Sequence, residues 1–262
     1  MEERTVEVTG WHEDPWPVFV RSAPGDGTPV LWLHGVPTSS DDWIPFLERA
    51  GGIAPDLPGF GRSSKRGDGD FTLGGLGRFP GPLLDALGIE RVRLVVHDWG
   101  AAALQWAAAH PERVERLIVV NAVPLLPGYR WHRVARLWRT RGVGEVAVGA
   151  TTGFALRRAL PGSLGREAAA HFDQGTQRAI LRLYRSAPPD ALAAAGRDLA
   201  RLREVPSTVV WGARDPFIPT AFAHRYGAAL GAEVRVLDGL GHWPWAADAA
   251  GAEAILAALE RR

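Results

Sequence analysis

The chain of 262 residues carries 30 basic and 29 acidic side chains, a formal net charge of +1, with 46% hydrophobic and 23% charged residues. That is ordinary for a soluble globular enzyme built as one large domain, or as a core with an inserted module, and the near-neutral balance implies neither a nucleic-acid nor a membrane partner. Cysteine is absent, which excludes disulfide and thiolate chemistry and leaves any metal site to His and carboxylates.

Residues 1–20 are charged and contain Trp11, Trp16 and two prolines, unlike a signal peptide. No run approaches the ~18 apolar residues of a membrane span, so a cytoplasmic location is expected. Thr5–Val8 and Pro17–Arg21 read as edge strands opening a sheet. Val30–His34 reads as a buried strand ending in the breaker-rich turn His34-Gly35-Val36-Pro37-Thr38. A helix is predicted over about Trp43–Arg49, with Asp41 or Asp42 at its N-cap. Gly52–Ala54 leads into Asp56-Leu57-Pro58-Gly59-Phe60-Gly61-Arg62-Ser63 and a polar loop to Asp70. Residues 79–87 read as a helix broken early by Pro80 and Pro82. Val92–Val96 is short and β-branched, as a buried parallel strand is. It passes within a few residues into Ala101-Ala102-Ala103-Leu104, the first turns of a helix running to about Ala109. Val114–Asn121 is another buried strand.

Past Pro124 the texture changes. The stretch Tyr129–Arg203 has no convincing strand and carries fourteen arginines. Helices are predicted over about His132–Thr140, Gly144–Leu160, Arg166–Phe172, Thr176–Tyr184 and Ala191–Leu202. Strands return at Ser207–Trp211 and Glu233–Leu237, with a helix between them and a last helix over about Ala247–Arg261. This order predicts an α/β fold: a doubly wound, mostly parallel sheet in two parts, residues 1–123 and 205–262, with a helical cap inserted over 124–204.

The join at Val96-His97-Asp98-Trp99-Gly100 has the mechanics of a nucleophile elbow: a strand turning sharply into a helix leaves its apex side chain exposed beside free N–H groups. The apex is Asp98 rather than serine. Two more candidates sit past strand ends, where open α/β sheets present chemistry. Asp215 follows Val209-Val210-Trp211-Gly212-Ala213-Arg214, and His242 lies in Gly239-Leu240-Gly241-His242-Trp243-Pro244. The order is nucleophile, acid, base.

These motifs, with His34-Gly35-Val36-Pro37 and Asp56 to Ser63, resemble the α/β-hydrolase superfamily, in the branch of epoxide hydrolases and haloalkane dehalogenases. The resemblance covers nearly the whole chain. It implies a carboxylate nucleophile, Asp98, that attacks a carbon bearing a leaving group and forms an alkyl ester. His242, oriented by Asp215, would activate the water that hydrolyses the ester, with the backbone N–H groups of Val36 and Trp99 as the oxyanion hole. The resemblance also suggests a cis bond before Pro37.

The leaving group distinguishes the readings. An epoxide oxygen needs a proton donor, and Tyr184 stands where the branch places a cap tyrosine. A first cap tyrosine has no clear counterpart; Tyr129 is nearby but early, and His132 is a substitute. A halide needs two N–H donors. Trp99 offers one, Val36 occupies the position where dehalogenases carry Asn or Glu, and Trp131 or Trp138 would have to supply the second. The expected activity is therefore epoxide hydrolysis to a vicinal diol. Haloalkane dehalogenation on the same triad, or a binding protein that keeps the pocket without turnover, are the alternatives. His34, Trp131, His132, Trp138 and Trp243 are the candidate substrate contacts. His34 is also read as shaping its turn, His97 as supporting the elbow, and the arginines of the cap as solvated surface. No cofactor and no metal are expected. The partner is a small hydrophobic substrate, and the protein is a monomer or homodimer.

Overall fold

A computed structural model of the chain describes residues 1–260. Eight strands form one sheet: β1 (Glu2–Val8), β2 (Trp16–Ala23), β3 (Val30–Leu33), β4 (Gly52–Pro55), β5 (Val92–His97), β6 (Val114–Val120), β7 (Ser207–Gly212) and β8 (Glu233–Leu237). Their spatial order is β1-β2-β4-β3-β5-β6-β7-β8. β2 runs antiparallel to both β1 and β4, and the pairs from β4–β3 to β7–β8 are parallel. β2 is thus an inner strand, not the edge strand its mixed sequence suggests, because β1 covers it.

Thirteen α-helices accompany the sheet among the described residues. The core helices before the insert are α1 (Ile44–Ala50), α2 (Leu73–Arg78), α3 (Pro80–Ala86) and α4 (Leu104–Ala109). Between β6 and β7 stand α5 (Arg133–Arg139), α6 (Val143–Gly149), α7 (Gly153–Ala159), α8 (Leu164–Ala170), α9 (Gln174–Ser186) and α10 (Pro189–Ala195). The last are α11 (Ala221–Leu230), α12 (Pro244–Ala247) and α13 (Ala249–Glu260). No helix among the described residues is long and apolar enough to cross a membrane.

Strand alternation explains the double winding. In β5 and β6, Leu94, Val96, Leu117 and Val119 face one layer with Leu104 of α4 and Tyr226 of α11. Val95, Ile118 and Val120 face the other, with Phe46 and Leu47 of α1 and Ile255 and Leu259 of α13. Strands buried on both faces read as continuous apolar runs, which is why they were legible.

Several boundaries differ from expectation, each for a local reason. Ser39, not Asp41 or Asp42, caps the turn before α1: its Oγ accepts from Asp41 N–H. Asp41 instead pairs with Arg21 at 2.6 Å and Arg62 at 3.0 Å, while Asp42 accepts from the Thr38 hydroxyl at 2.6 Å. α2 was unforeseen because three of its six residues are glycine; Thr72 starts it by accepting from Gly75 N–H. Pro80 does not break α3 but opens it, at the first turn where a missing N–H costs nothing. The single helix predicted over Gly144–Leu160 is two, because Thr152 caps a fresh start at α7. After β5 a 3₁₀ turn spans Asp98–Ala103 before α4 begins. The final helix starts at Ala249, and its predicted end at Arg261 lies outside the described residues.

The elbow is seated by glycine. A Cβ on Gly100 would stand 2.5 Å from the Leu33 carbonyl oxygen of β3. Gly100→Ala therefore forces backbone apart, and we expect a loss of about 1–3 kcal/mol in urea unfolding. A change within about 0.5 kcal/mol, the range of ordinary surface substitutions, would show that the elbow does not depend on this approach.

Candidate active site

Parallel register brings the carboxyl ends of five strands together. Leu33 lies beside Val96, His97 beside Val120, Val120 beside Val210, and Gly212 beside Leu237. Asp98, Asn121, Asp215 and His242 all follow these ends in sequence, so the sheet itself gathers them.

Asp98 occupies the elbow apex with φ +48°, left-handed backbone that non-glycine residues adopt only where the surroundings hold them. The loop from β3 comes so close that a Cβ on Gly35 would lie 2.6 Å from Asp98 Oδ1. Through that gap Val36 N–H donates to Asp98 Oδ1 at 2.9 Å. The Val36–Pro37 bond is cis. The Trp99 N–H stands in the first turn after the strand, where N–H groups have no partner within the helix.

Asp98 Oδ2 lies 3.5 Å from His242 Nε2. On the other side of the ring, His242 Nδ1–H donates to Asp215 Oδ2 at 2.7 Å. Asp215 is held at three further points: Asn121 Nδ2 donates to Oδ2 at 2.8 Å, and the N–H groups of Phe217 and Ile218 donate to Oδ1 at 2.8 and 3.0 Å. Asn121, with φ +36°, also accepts from Gly212 N–H at 2.9 Å, so one side chain ties β6 to β7 and to Asp215. The sequence reading left Asn121 as an ordinary strand end; its one signal was position, the residue after a buried parallel strand.

Burial would raise the Asp98 pKa, but the hydrogen bond and charge of His242 and the Val36 N–H outweigh it and hold Asp98 below the ordinary carboxylate range. Asp215 is lowered in the same way, chiefly by His242 against its own burial. Burial would lower His242, but the two carboxylates push it up to about 9. The resting triad thus holds an imidazolium between two anions. Any reaction that neutralises Asp98 removes one of those anions, lowers the His242 pKa and favours the neutral ring that can accept a proton.

His97 is buried directly behind the triad. Its Nε2–H donates to the His242 carbonyl at 2.9 Å, and burial lowers its pKa to about 3, so it stays neutral. His34 is engaged at both nitrogens: Nδ1–H donates to the Gly35 carbonyl at 2.7 Å, and Nε2 accepts from Leu57 N–H at 2.8 Å. It shapes the turn and is not on the cavity wall, so the structure does not place it among substrate contacts.

A cavity of about 270 Å³ opens over Asp98 and His242. Its wall includes Tyr129, Trp131, His132, Trp138, Tyr184 and Trp243, together with aliphatic side chains such as Val123, Leu156 and Ile218. Larger grooves, of about 600 and 570 Å³, contain none of the triad. Tyr184 arrives because α9 buries one stripe, Thr176, Ala179, Ile180, Leu183 and Tyr184, at helical spacing. The carbonyls that end α9 are occupied. Trp131 Nε1–H donates to Ala187 O at 2.8 Å, and Arg139 donates to the carbonyls of Tyr184 and Ala187. Trp131 therefore packs against Trp99, with ring centroids 5.4 Å apart, but its N–H is not free for a ligand.

Burial, with the Asp98 charge adding to it, raises Tyr184 well above the ordinary phenol range, so its hydroxyl keeps its proton. Tyr129, set aside on sequence as too early, shares the cavity and points its hydroxyl at the Phe217 carbonyl, 3.4 Å away. His132 Nδ1 accepts from Ala135 N–H at 3.3 Å, capping α5, and burial lowers its pKa. The buried indole nitrogen of Trp243 has no hydrogen-bond partner; that of Trp99 makes no close hydrogen bond but acts on the Tyr184 hydroxyl, against the effect of its burial. Trp99 itself is not on the cavity wall; it lies behind it, edge-on to Tyr184 at 4.9 Å.

Comparison with known proteins places these features in context. Residues 28–245 match the family described as alpha/beta hydrolase fold. A curated relative named Haloalkane dehalogenase, from Agrobacterium fabrum, is 38% identical over 136 residues; the match covers 47% of this chain and 44% of that protein, so the chain spans less than half of it. The crystal structure of haloalkane dehalogenase DbeA from Bradyrhizobium elkani is 26% identical, with a TM-score of 0.78 and coverage of 98% and 97% of the two chains. The structure of epoxide hydrolase CorEH, 20% identical with a TM-score of 0.78 and 99% coverage of both chains, shares the fold.

The raised pKa of His242 makes a prediction for stability. A group whose folded pKa exceeds its unfolded value of 6.5 contributes fully below that pH, and its contribution is lost as pH rises through about 9. The urea midpoint should fall more steeply from pH 6.5 to 9 in the natural protein than in His242→Gln. Parallel curves would contradict the charged resting state.

Proposed function

The chain belongs to the α/β-hydrolase family, in the branch of epoxide hydrolases and haloalkane dehalogenases, and on that premise we propose that this hydrolase opens epoxides to vicinal diols through an ester on Asp98. The helices of residues 124–204 act in this reading as a cap over the sheet. Asp98 Oδ1 is held by Val36, so Oδ2 is the oxygen free to attack. Its lone pair forms a bond to an epoxide carbon while the carbon–oxygen bond of the ring breaks. The departing oxygen takes the proton of Tyr184, leaving a hydroxyalkyl ester and a tyrosinate.

The ester has lost the Asp98 charge, so the His242 pKa falls; the imidazolium gives its Nε2 proton to solvent, and the neutral ring can then take a proton from water. That water attacks the Asp98 carboxyl carbon. The oxyanion develops on Oδ1, which already accepts from Val36 N–H, with Trp99 N–H beside it. Collapse expels the second hydroxyl oxygen, which takes the proton from His242. The remaining proton of the water restores Tyr184. One water is consumed, and His242 regains its Nε2 proton from solvent once Asp98 is charged again, so both faces of the triad return to their starting state. Asp215, held by Asn121 and two backbone N–H groups, keeps the His242 tautomer throughout.

The observation that carries this reading is Tyr184. It is a protonated phenol on the wall of the cavity that holds Asp98 and His242, and a leaving epoxide oxygen needs such an acid. Halide release is less well served: Val36 has no side-chain donor, and the Trp131 N–H is bonded to Ala187 O. One observation favours that second reading: the indole N–H of Trp99 makes no close hydrogen bond and lies against Tyr184, which is on the cavity wall. Relatives named haloalkane dehalogenase support it too.

A paired assay separates them. Terminal and styrene-type epoxides are followed for diol, and bromo- and chloroalkanes for halide. Diol formation is expected, and Tyr184→Phe should reduce it by about 10²–10⁴-fold, the contribution of a positioned proton donor. Halide release that survives Tyr184→Phe, with no diol from any epoxide, would replace the epoxide reading by the halide one.

A further inference from the structure

The outer face of the helical insert is chemically unlike the rest of the surface. Of the six large apolar side chains that are exposed among the described residues, five lie on α5, α6 and α7: Val134, Leu137, Val143, Val146 and Phe154. Val146 and Phe154 are 73% and 71% exposed. Single exposed aliphatics are common on any protein, but a cluster of this kind marks a contact surface.

Charge decides what it contacts. Residues 130–166 contain eight arginines and one acid, Glu145. That acid is already used, since Arg185 holds both its oxygens at 2.8 and 2.7 Å. Arg133, Arg136, Arg157 and Arg158 are exposed on the same helices as the apolar residues, and the Arg158 guanidinium lies 5.9 Å from the centre of the Phe154 ring. Interleaved arginine and large apolar side chains on short helices suit the interface of an anionic bilayer, where the apolar groups enter the acyl boundary and the guanidinium groups meet phosphate. A second copy of this chain suits it poorly, because a two-fold contact would set this basic face against itself. The overall charge of +1 conceals the asymmetry.

The cavity opens on this face. Val134, Ala155 and Ala159 are exposed and also line the cavity over Asp98. We propose that the outer face of α5–α7 docks on anionic lipid bilayers, and that the cavity mouth, lying in the docked face, receives lipophilic substrate from the membrane. The docking is independent of which leaving group the site handles.

The test is co-sedimentation of the full chain with vesicles of phosphatidylcholine alone, or of phosphatidylcholine and phosphatidylglycerol in equal parts. Binding is expected to the anionic vesicles at low ionic strength and to be lost near 1 M salt, where screening reaches about 3 Å. The double variant Val146→Asp/Phe154→Asp, neither residue touching the cavity, should bind at least about tenfold more weakly. Its thermal melt and its turnover of water-soluble substrates should match the parent. No binding to anionic vesicles, or equal binding by the double variant, would overturn the proposal. So would concentration-dependent dimerisation in light scattering that the double variant abolishes, since the face would then join copies of the chain.

Discussion

Everything in this molecule's functional face follows from keeping one buried carboxylate charged at the tip of a strained turn. Asp98 sits at φ +48°, conformational strain of order 1–3 kcal/mol that the surroundings must offset. Its burial would protonate it unless charge and hydrogen bonds compensate. The compensation comes from the loops that follow β3 and β8. Val36 N–H reaches Oδ1 only because Gly35 leaves room, and His242 faces Oδ2 only because Asp215 and the His97 contact hold its ring and its backbone. Without either partner burial would push the Asp98 pKa up and make the carboxylate a poorer nucleophile.

The helical insert solves a different problem. It must roof an apolar cavity without leaving helix ends unsatisfied in it. The end of α9 shows how: Trp131 and Arg139 donate to the carbonyls of Tyr184 and Ala187, which fixes the helix that carries Tyr184. The start of α9 is tied to the core by Asp173, which caps Thr176 N–H at 2.9 Å and pairs with Lys65 at 2.8 Å. Tyr184 is thereby positioned from both ends of its helix. The same bond that secures α9 takes the Trp131 N–H away from the cavity, so the packing of the roof bears directly on which leaving groups the site can serve.

Much of this was legible in the sequence, for a physical reason. Parallel strands buried on both faces leave unmistakable apolar runs, and a sheet presents chemistry just past its carboxyl ends. Asp98, Asp215 and His242 could therefore be found from order alone. Asn121 could not, although it holds the position after β6, because a buried Asn at a strand end has no distinctive spacing. Asp41 and Asp42 look like helix caps; Asp41 instead joins a buried ion network because of Arg21, some twenty residues away, and local pattern carries no such information. Tyr129 looked misplaced because distance along a loop does not report where its ring packs. Net charge hid the basic face of the insert, because a sum over the chain discards position.

The central claim is that Asp98 is the atom donor for a covalent intermediate. The most direct measurement is intact-protein and peptide mass spectrometry of His242→Gln after incubation with a styrene-type epoxide. The account predicts a stable adduct equal to the whole mass of the epoxide, carried by the peptide that contains Asp98, and none on Asp98→Ala. An adduct-free protein that still turns the epoxide into diol, or an adduct on any other residue, would contradict it.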